Sequence, residues 1–226
     1  MPKHLQTEID KLKKRILHLV ALVEEAVEKA SRAVATRDID LAKEVNGADA
    51  DIDRIEVDVE EECLKILALH QPVAVDLRYV VSVLKINNDL ERVGDLAANV
   101  AERAELLVSR PLPPEAGSLP KMVEAVRAML RESLDSFVNM DSQLARSVLV
   151  ADSEVDAMNR GMFDRIQAAI KERPSDLDIL LPILSVSRYL ERVSDHATNI
   201  AEDVIYMLEG EIARHGGGRS GSSEST

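Results

Sequence analysis

The sequence is poor in aromatic residues, cysteine, glycine and proline, and each shortage excludes something. Its 226 residues contain no Trp, three Tyr and two Phe, so the core must consist mainly of aliphatic side chains. A single cysteine excludes an internal disulfide and is typical of a reducing cytoplasm. Nine Gly and eight Pro, beside 46% hydrophobic and 31% charged residues, indicate a folded, all-α chain.

Three classes of function are disfavoured by what the sequence does not contain. No apolar run approaches the ~20 residues of a membrane helix, and the N-terminal segment lacks the apolar core of a signal peptide. We therefore expect a cytoplasmic protein without direct membrane insertion. The net charge of −13 argues against nucleic-acid binding, which needs clustered Lys and Arg. Since there is no Glu-x-x-His pair, Gly-rich phosphate loop or nucleophile elbow, we predict that the protein is not an enzyme.

Apolar residues recur at intervals of three or four over six segments, which is the pattern of amphipathic helices. The predicted helices cover 5–34, 41–69, 73–110, 119–148, 152–171 and 176–209. The Pro/Gly-rich stretch RPLPPEAGSLP separates the third segment from the fourth and marks a boundary. We predict a first three-helix unit over 1–111, a second over 112–210 and a disordered Gly/Ser-rich tail over 211–226.

The two units resemble each other. LERVGDLAANVAE, which begins at Leu90, returns 100 residues later as LERVSDHATNIAE from Leu190, with nine of thirteen positions identical. The preceding helices match at a shift of 103 residues, so the second connection is three residues shorter. An internal duplication leaves this pattern, and short connections place neighbouring helices antiparallel. We therefore predict two tandem, pseudo-symmetric three-helix bundles of six long antiparallel helices.

Each unit carries acidic side chains along one face of its second and third helices, at the margin of the apolar row. On the third helix they fall within an arc of roughly 80°. Two antiparallel helices would bring two such faces together, so that an acid-x-x-x-Asp step on one helix can oppose a step on the next. The candidate metal ligands are Asp49, Asp53, Glu91, Asp95 and Asn99 in the first unit, and Asp152, Asp156, Glu191, Asp195 and Asn199 in the second.

Facing carboxylates repel each other, and three sources of compensation are open. Arg92 and Arg192 are possible partners, although they lie roughly 100° from Glu91 and Glu191 around their helices. Solvent could screen the charges. A multivalent cation could bind, and all-oxygen ligands favour magnesium, calcium, manganese or ferric iron over zinc or copper.

The second unit departs from the first at three positions near these faces. Asn159 and Phe163 stand where the first unit has Glu56 and Glu60, so the second face is less acidic. His196 follows Asp195, but the first unit has Leu at the equivalent position. We therefore expect His196 to be a surface or boundary histidine rather than a metal ligand.

Two segments carry a resemblance to a known family. HQPVAVDLRYVVSVLKINNDLERVGDLAANVAERA, from His70, and YLERVSDHATNIAEDVIYMLEG, from Tyr189, resemble the two signature helices of the PhoU family of phosphate-signalling regulators. The resemblance extends over about 5–210. It implies paired three-helix bundles, often as a cytoplasmic homodimer, and metal ions or clusters on the acid-x-x-x-Asp pairs named above.

The resemblance also implies a function. The family restrains phosphate uptake and represses phosphate-starvation signalling, and it is thought to bridge the ATPase subunit of the phosphate ABC transporter and a sensor histidine kinase. An adaptor without a catalytic constellation would act through surfaces, and paired bundles offer grooves to partner helices. Two alternatives remain open from the residues alone: a metal-storage or redox carboxylate protein, and a purely structural helical scaffold.

Overall fold

The computed structural model describes residues 3–107 and 111–210, and within these ranges the regular structure is entirely helical. The helices are α1 (Lys3–Thr36), α2 (Ile39–His70), α3 (Ala74–Leu107), α4 (Leu119–Asn139), α5 (Ser142–Glu172) and α6 (Leu177–Glu209). Short 3-10 turns at Pro114–Ser118 and Pro174–Asp176 precede α4 and α6. None of the described helices is long and apolar enough to cross a bilayer. The predicted tail, 211–226, lies outside the described residues.

The helices form the two predicted three-helix bundles. α1, α2 and α3 pack on one another, and α4, α5 and α6 do the same. The core is aliphatic, as the composition requires, and α1 shows how it is built: Leu12, Ile16 and Leu19, spaced by four and three residues, are fully buried. The all-α class and the duplicated architecture are confirmed.

The predicted boundary between the fourth and fifth helices is wrong. α4 ends at Asn139 rather than near residue 148, and α5 begins ten residues before the predicted start. Met140 takes a left-handed conformation (φ 55°), and the Asp141 side chain accepts hydrogen bonds from the backbone N–H groups of Gln143 and Leu144. Such an N-cap stabilises a helix start by about 1 kcal/mol.

The first bundle has an equivalent left-handed residue and capping aspartate 103 residues earlier. Arg37 is left-handed (φ 57°), and Asp38 caps α2 by accepting from the N–H groups of Asp40 and Leu41. The turn between the first two helices is therefore part of the repeat. Because the repeat register extends to the caps, it would have placed the start of α5 correctly.

The bundles are joined mainly through α3 and α6, whose contact is the most extensive between any two described helices. Lys85 Nζ lies 2.7 Å from Asp203 Oδ1, and Arg103 donates to the Tyr189 hydroxyl at 3.4 Å. These pairings run in opposite directions along the two helices, so α3 and α6 are antiparallel. The acidic faces of α3 and α6 therefore belong to separate bundles, although the two helices that carry them pack against each other.

A glycine explains one difference between the two copies of the repeated segment. A Cβ atom on Gly94 would lie 3.1 Å from Cγ2 of Ile52 on α2, which is closer than an ordinary contact. The second copy has Ser194 here, and its counterpart of Ile52 is the smaller Val155. Ser194 is fully buried, and its hydroxyl donates to the Glu191 carbonyl at 2.7 Å. The two substitutions compensate each other in volume.

Candidate metal centres

The first acidic cluster forms where the N-terminal half of α2 crosses α3. Asp49 and Asp53 lie one turn apart on α2, and Asp95 faces them from α3. Ligand oxygens of these three carboxylates all lie within 4.8 Å of one another, the only such set of Asp, Glu, His or Cys groups in residues 3–107 and 111–210. Three carboxylates at this separation can hold a hard cation through oxygen ligands.

The electrostatics of the first cluster show unbalanced negative charge. Partial burial raises the pKa of Asp49, and the charges of Asp53 and Asp95 raise it further. The pKa of Glu91 is raised in the same way, first by burial and then by Asp95, while Arg92 opposes the shift. These groups would ionise more readily if a cation lay among them.

One of the three compensations left open by the sequence is present in this cluster. Despite the helical angle between Arg92 and Glu91, Arg92 Nε lies 3.3 Å from Glu91 Oε2 and its Nη1 lies 3.3 Å from Asp95 Oδ2. The long side chain bends back over the face, which the angle between Cα positions does not capture. Since the guanidinium is about half exposed, it screens the cluster only weakly.

The second cluster occupies the equivalent place between α5 and α6. Burial raises the pKa of Asp152, and the charges of Asp156 and Asp195 add to the shift. Burial, then Asp195 and Asp156, likewise raise the pKa of Glu191. The pKa of Asp195 is raised by burial and by Asp156, with His196 and Arg192 acting against the shift. All four predicted acids of this unit therefore interact with one another.

A buried, unpaired carboxylate oxygen in the second cluster is a candidate ligand for a cation. Oδ1 of Asp152 is shielded from solvent and has no hydrogen-bond partner among the described residues. Leaving a buried acceptor of this kind unpaired costs about 1–3 kcal/mol. The neighbouring Asp156 is partly neutralised by Arg160, whose Nη1 lies 3.2 Å from Asp156 Oδ2. A cation held by Asp152, Asp156, Glu191 and Asp195 would satisfy this oxygen.

The two predicted asparagine ligands behave differently. Asn99 donates its amide N–H to the Asp95 carbonyl at 2.7 Å, so it stays beside the first cluster. Asn199 donates instead to Oδ1 of Asp89, at 3.2 Å, across the α3–α6 contact. The amide group of Asn199 is thus drawn towards the junction between the bundles.

Asp89 is the residue that sequence reasoning missed. It is nearly buried, and its Oδ1 also lies 2.7 Å from Nδ1 of His196. His196 is therefore a boundary residue, as expected, and it is tied to α3. A signal was available: Asp89 shares a helical face with Val93 and Leu96, so an acid stood on an apolar row. Its partner is the histidine that replaces Leu96 in the second copy.

In each bundle a further polar contact joins the two helices that carry the acidic face. Asn87 donates to both the backbone carbonyl and Oε1 of Glu56, each at 3.0 Å, and so links α3 to α2. The second bundle keeps the link with different groups, since the Ser187 hydroxyl donates to Asn159 Oδ1 at 2.8 Å. The position therefore carries a charge in the first bundle and none in the second.

Comparison with known proteins accounts for the duplicated plan. The family model described as "PhoU domain" matches the chain twice, over residues 16–104 and 119–204. The chain belongs to the PhoU family. The phosphate-specific transport system accessory protein PhoU homolog of Aquifex aeolicus is 38% identical over 208 residues, covering 92% of this chain and 94% of that protein.

Solved PhoU structures have the same architecture. The crystal structure of PhoU from Pseudomonas aeruginosa superimposes with a TM-score of 0.89 at 36% identity, covering 91% of this chain and 99% of that one. The phosphate transport system regulatory protein PhoU from Streptococcus pneumoniae gives a TM-score of 0.85 at 29% identity, with 92% and 98% covered. The likeness extends over both bundles, so each acidic cluster lies within a PhoU repeat.

Proposed function

We propose that this protein is a regulatory adaptor of a phosphate-specific transport system. The observation that carries the proposal is its membership of the PhoU family over both repeats, together with relatives named as accessory proteins of phosphate-specific transport. In this role it restrains phosphate uptake and phosphate-starvation signalling. It does so by coupling the ATPase subunit of a phosphate ABC transporter to a sensor histidine kinase, in the cytoplasm and as a homodimer.

The adaptor is proposed to work through binding rather than catalysis. The relatives carry the names of accessory and regulatory proteins, which supports a non-enzymatic role. The long outer faces of the two bundles supply helix pairs to which partner helices can bind. A duplicated plan suits the task because two similar surfaces that have diverged can serve two different partners.

The acidic clusters are proposed to bind metal ions through carboxylate oxygens. The proximity of Asp49, Asp53 and Asp95, the unpaired oxygen of Asp152 and the raised pKa values of Asp49, Asp152, Glu191 and Asp195 support this. Oxygen ligands suit iron, manganese, magnesium or calcium. A bound cation would neutralise each face and tie its two helices together.

Genetic complementation tests the regulatory role. Deletion of the gene should raise alkaline phosphatase expression in cells grown at high phosphate, and the wild-type gene should restore repression. The protein should also co-purify with the transporter ATPase or the sensor kinase from high-phosphate cells. Phosphatase expression that is the same with and without the gene would overturn the adaptor role.

The metal proposal has a separate test. Asp53→Asn/Asp95→Asn and Asp156→Asn/Asp195→Asn variants, each of which keeps side-chain volume, should lose metal and change repression in the same assay. The substitution Asp58→Asn, an exposed acid on α2 paired with Arg15, is a matched control and should leave both unchanged. If neither double variant changes the metal content or the repression, the clusters are solvated acidic faces and not metal sites.

A further inference from the structure

The α5–α6 groove changes character along its length. Where the groove passes Glu191 and Asp195 of α6, it contains the second acidic cluster. Towards the start of α6 it becomes apolar, with large side chains that remain exposed: Phe163 is 48% exposed, Leu177 43% and Leu181 45%. A set of large apolar groups on one open face of a soluble protein marks an interaction surface.

These side chains line up on one face. On α6, Leu177, Leu181, Leu184 and Arg188 follow at intervals of four, three and four, which places them within an arc of about 60°. Phe163 lies opposite them on α5, and together with Leu184 of α6 it lines a surface cavity of about 370 Å³. The cavity can accept a bulky apolar side chain from another molecule.

Charge distinguishes this face from its counterpart. The cavity is also lined by Arg160 and Arg188, with Asp164 as its one acid. Arg160 keeps its ion pair with Asp156, so its guanidinium lies between the cavity and the acidic cluster. The lining of this cavity therefore holds two arginines and one acid, in a chain whose net charge is −13.

The first bundle keeps the apolar row of α6 on α3 but reverses the charge on the facing helix. Leu77, Val81 and Leu84 repeat the leucines of α6, and Leu77 is 39% exposed. The positions of Asn159, Phe163 and Asp164 are occupied on α2 by Glu56, Glu60 and Glu61, while those of Arg160 and Arg188 are Val57 and Asn88. The two grooves thus share an apolar row on their third helix but differ in the charge of the residues that face it.

We propose that the apolar part of the α5–α6 groove, formed by Phe163, Leu177, Leu181 and Leu184 with Arg160 and Arg188, binds an amphipathic helix of a partner protein. The partner helix carries aliphatic residues at i, i+4 and i+7 and acidic residues beside them. The aliphatic row fills the groove, and the acidic residues pair with the arginines. The same helix is repelled by Glu56, Glu60 and Glu61 in the first bundle, so it selects the second.

A synthetic peptide tests the groove by itself. The probe is an acidic amphipathic helix with leucines at i, i+4 and i+7, flanking glutamates and one photoreactive benzophenone. We expect its cross-links to fall within 160–167 and 177–188. Phe163→Ser should weaken binding at least about tenfold, as loss of a central aromatic contact does. Leu177→Ser should weaken it severalfold, whereas the matched Leu77→Ser should not. Equal cross-linking to both grooves, or binding unaffected by Phe163→Ser, would overturn the proposal.

Partner proteins provide the second arm, because the inference rests on the proposed adaptor role. The full-length protein is titrated with the purified transporter ATPase subunit and with the cytoplasmic part of the sensor kinase. We expect Phe163→Ser to weaken one of the two interactions at least about tenfold and to leave the other within twofold. If both partners bind Phe163→Ser like the wild type, the groove is not the docking face although the adaptor role stands. If neither partner binds the wild type, the adaptor role fails, and the peptide experiment alone then tests whether the groove binds an acidic helix.

Discussion

The two acidic clusters are built on one plan but surrounded differently. In the first bundle a surface arginine, Arg92, reaches two of the acids, and the face continues outwards with further glutamates. In the second bundle Asp152 keeps a buried oxygen unpaired, and the face continues into Asn159 and Phe163. The helical scaffold therefore fixes which carboxylates meet, while neighbouring side chains set how much charge each cluster must balance.

The junction between the bundles adds a second difference. His196 and Asn199 in the second copy both contact Asp89 of α3, and the first copy has Leu96 where His196 stands. The α3–α6 contact therefore carries a polar cluster between the Lys85–Asp203 and Arg103–Tyr189 pairs. Asp195, a proposed metal ligand, is adjacent in sequence to His196, which contacts the first bundle.

The largest effect should come from adding metal to the metal-free protein. A ligand at a hundred times its dissociation constant stabilises the folded state by about 2.7 kcal/mol per site. Manganese should therefore raise the free energy of unfolding of the wild type by about 5 kcal/mol if both clusters bind. Asp53→Asn/Asp95→Asn and Asp156→Asn/Asp195→Asn should each retain about half of this gain in urea titrations monitored by circular dichroism. An equal gain in all three proteins would place the metal elsewhere.

The substitution His196→Leu makes the second copy like the first and should destabilise the chain by about 2 kcal/mol. It removes one partner of a nearly buried carboxylate, and unpaired charges at such positions are costly. The combination His196→Leu/Asp89→Asn should recover most of the loss, since the remaining Asn199 can still donate to a neutral amide oxygen. Urea denaturation at constant metal concentration measures both. Additive effects of the two changes would mean that Asp89 and His196 are not energetically coupled.

A smaller effect is expected from neutralising one partly buried acid in the metal-free protein. Because the folded-state pKa of Asp152 is raised, the folded chain binds this proton more readily than the unfolded chain does. The resulting penalty is fully present above the folded pKa and disappears as the pH falls towards the ordinary carboxyl value of about 4. Asp152→Asn should therefore raise the metal-free melting temperature by about 2 °C at pH 7, after allowance for solvent screening, and by less as the pH falls towards about 4.

The matched substitution Asp49→Asn tests the corresponding acid of the first cluster. Its pKa is also raised, but no unpaired buried oxygen accompanies it among the described residues. We expect its stabilising effect at pH 7 to have the same sign and to be smaller than that of Asp152→Asn. Differential scanning fluorimetry at several pH values, with a chelator present, compares the two. A pH-independent shift in either variant would show that ionisation of the partly buried carboxylate is not the cause.

The smallest effect concerns the packing that distinguishes Gly94 from Ser194. Alanine at position 94 gains about 1 kcal/mol of helix propensity but meets Ile52, so the net change should be small or unfavourable. In an Ile52→Val background the same substitution should be stabilising. The double-mutant cycle should give a coupling energy of about 0.5–1 kcal/mol. A coupling near zero would mean that the two volume changes arose independently.

The repeat made most of the fold predictable. Two matching shifts along the chain, with apolar residues at helical spacing, predicted six helices in two bundles, and the structure confirms them. The boundary between α4 and α5 was missed because Phe137, Met140, Leu144 and Val148 keep an apolar spacing across the turn. Hydrophobic periodicity does not register a two-residue interruption, whereas the capping aspartates, Asp38 and Asp141, do.

The candidate site was predictable in its carboxylates but not in their partners. The helical spacing identified the acids that meet across α2–α3 and α5–α6, because that spacing is a property of single helices. Contacts between helices, such as that of Asp89 with His196, depend on how the bundles cross, which one helix cannot specify. Long side chains add a further gap, since Arg92 reaches groups that lie well around the helix from its own Cα atom.

The most direct test is the metal content of the purified protein by inductively coupled plasma mass spectrometry. It should be measured for the wild type, for Asp53→Asn/Asp95→Asn, for Asp156→Asn/Asp195→Asn and for all four substitutions together. Two separate sites built from the two repeats predict that each double variant retains about half of the wild-type metal and that the fourfold variant retains none. Metal content that is unchanged in the fourfold variant would contradict the assignment of both clusters.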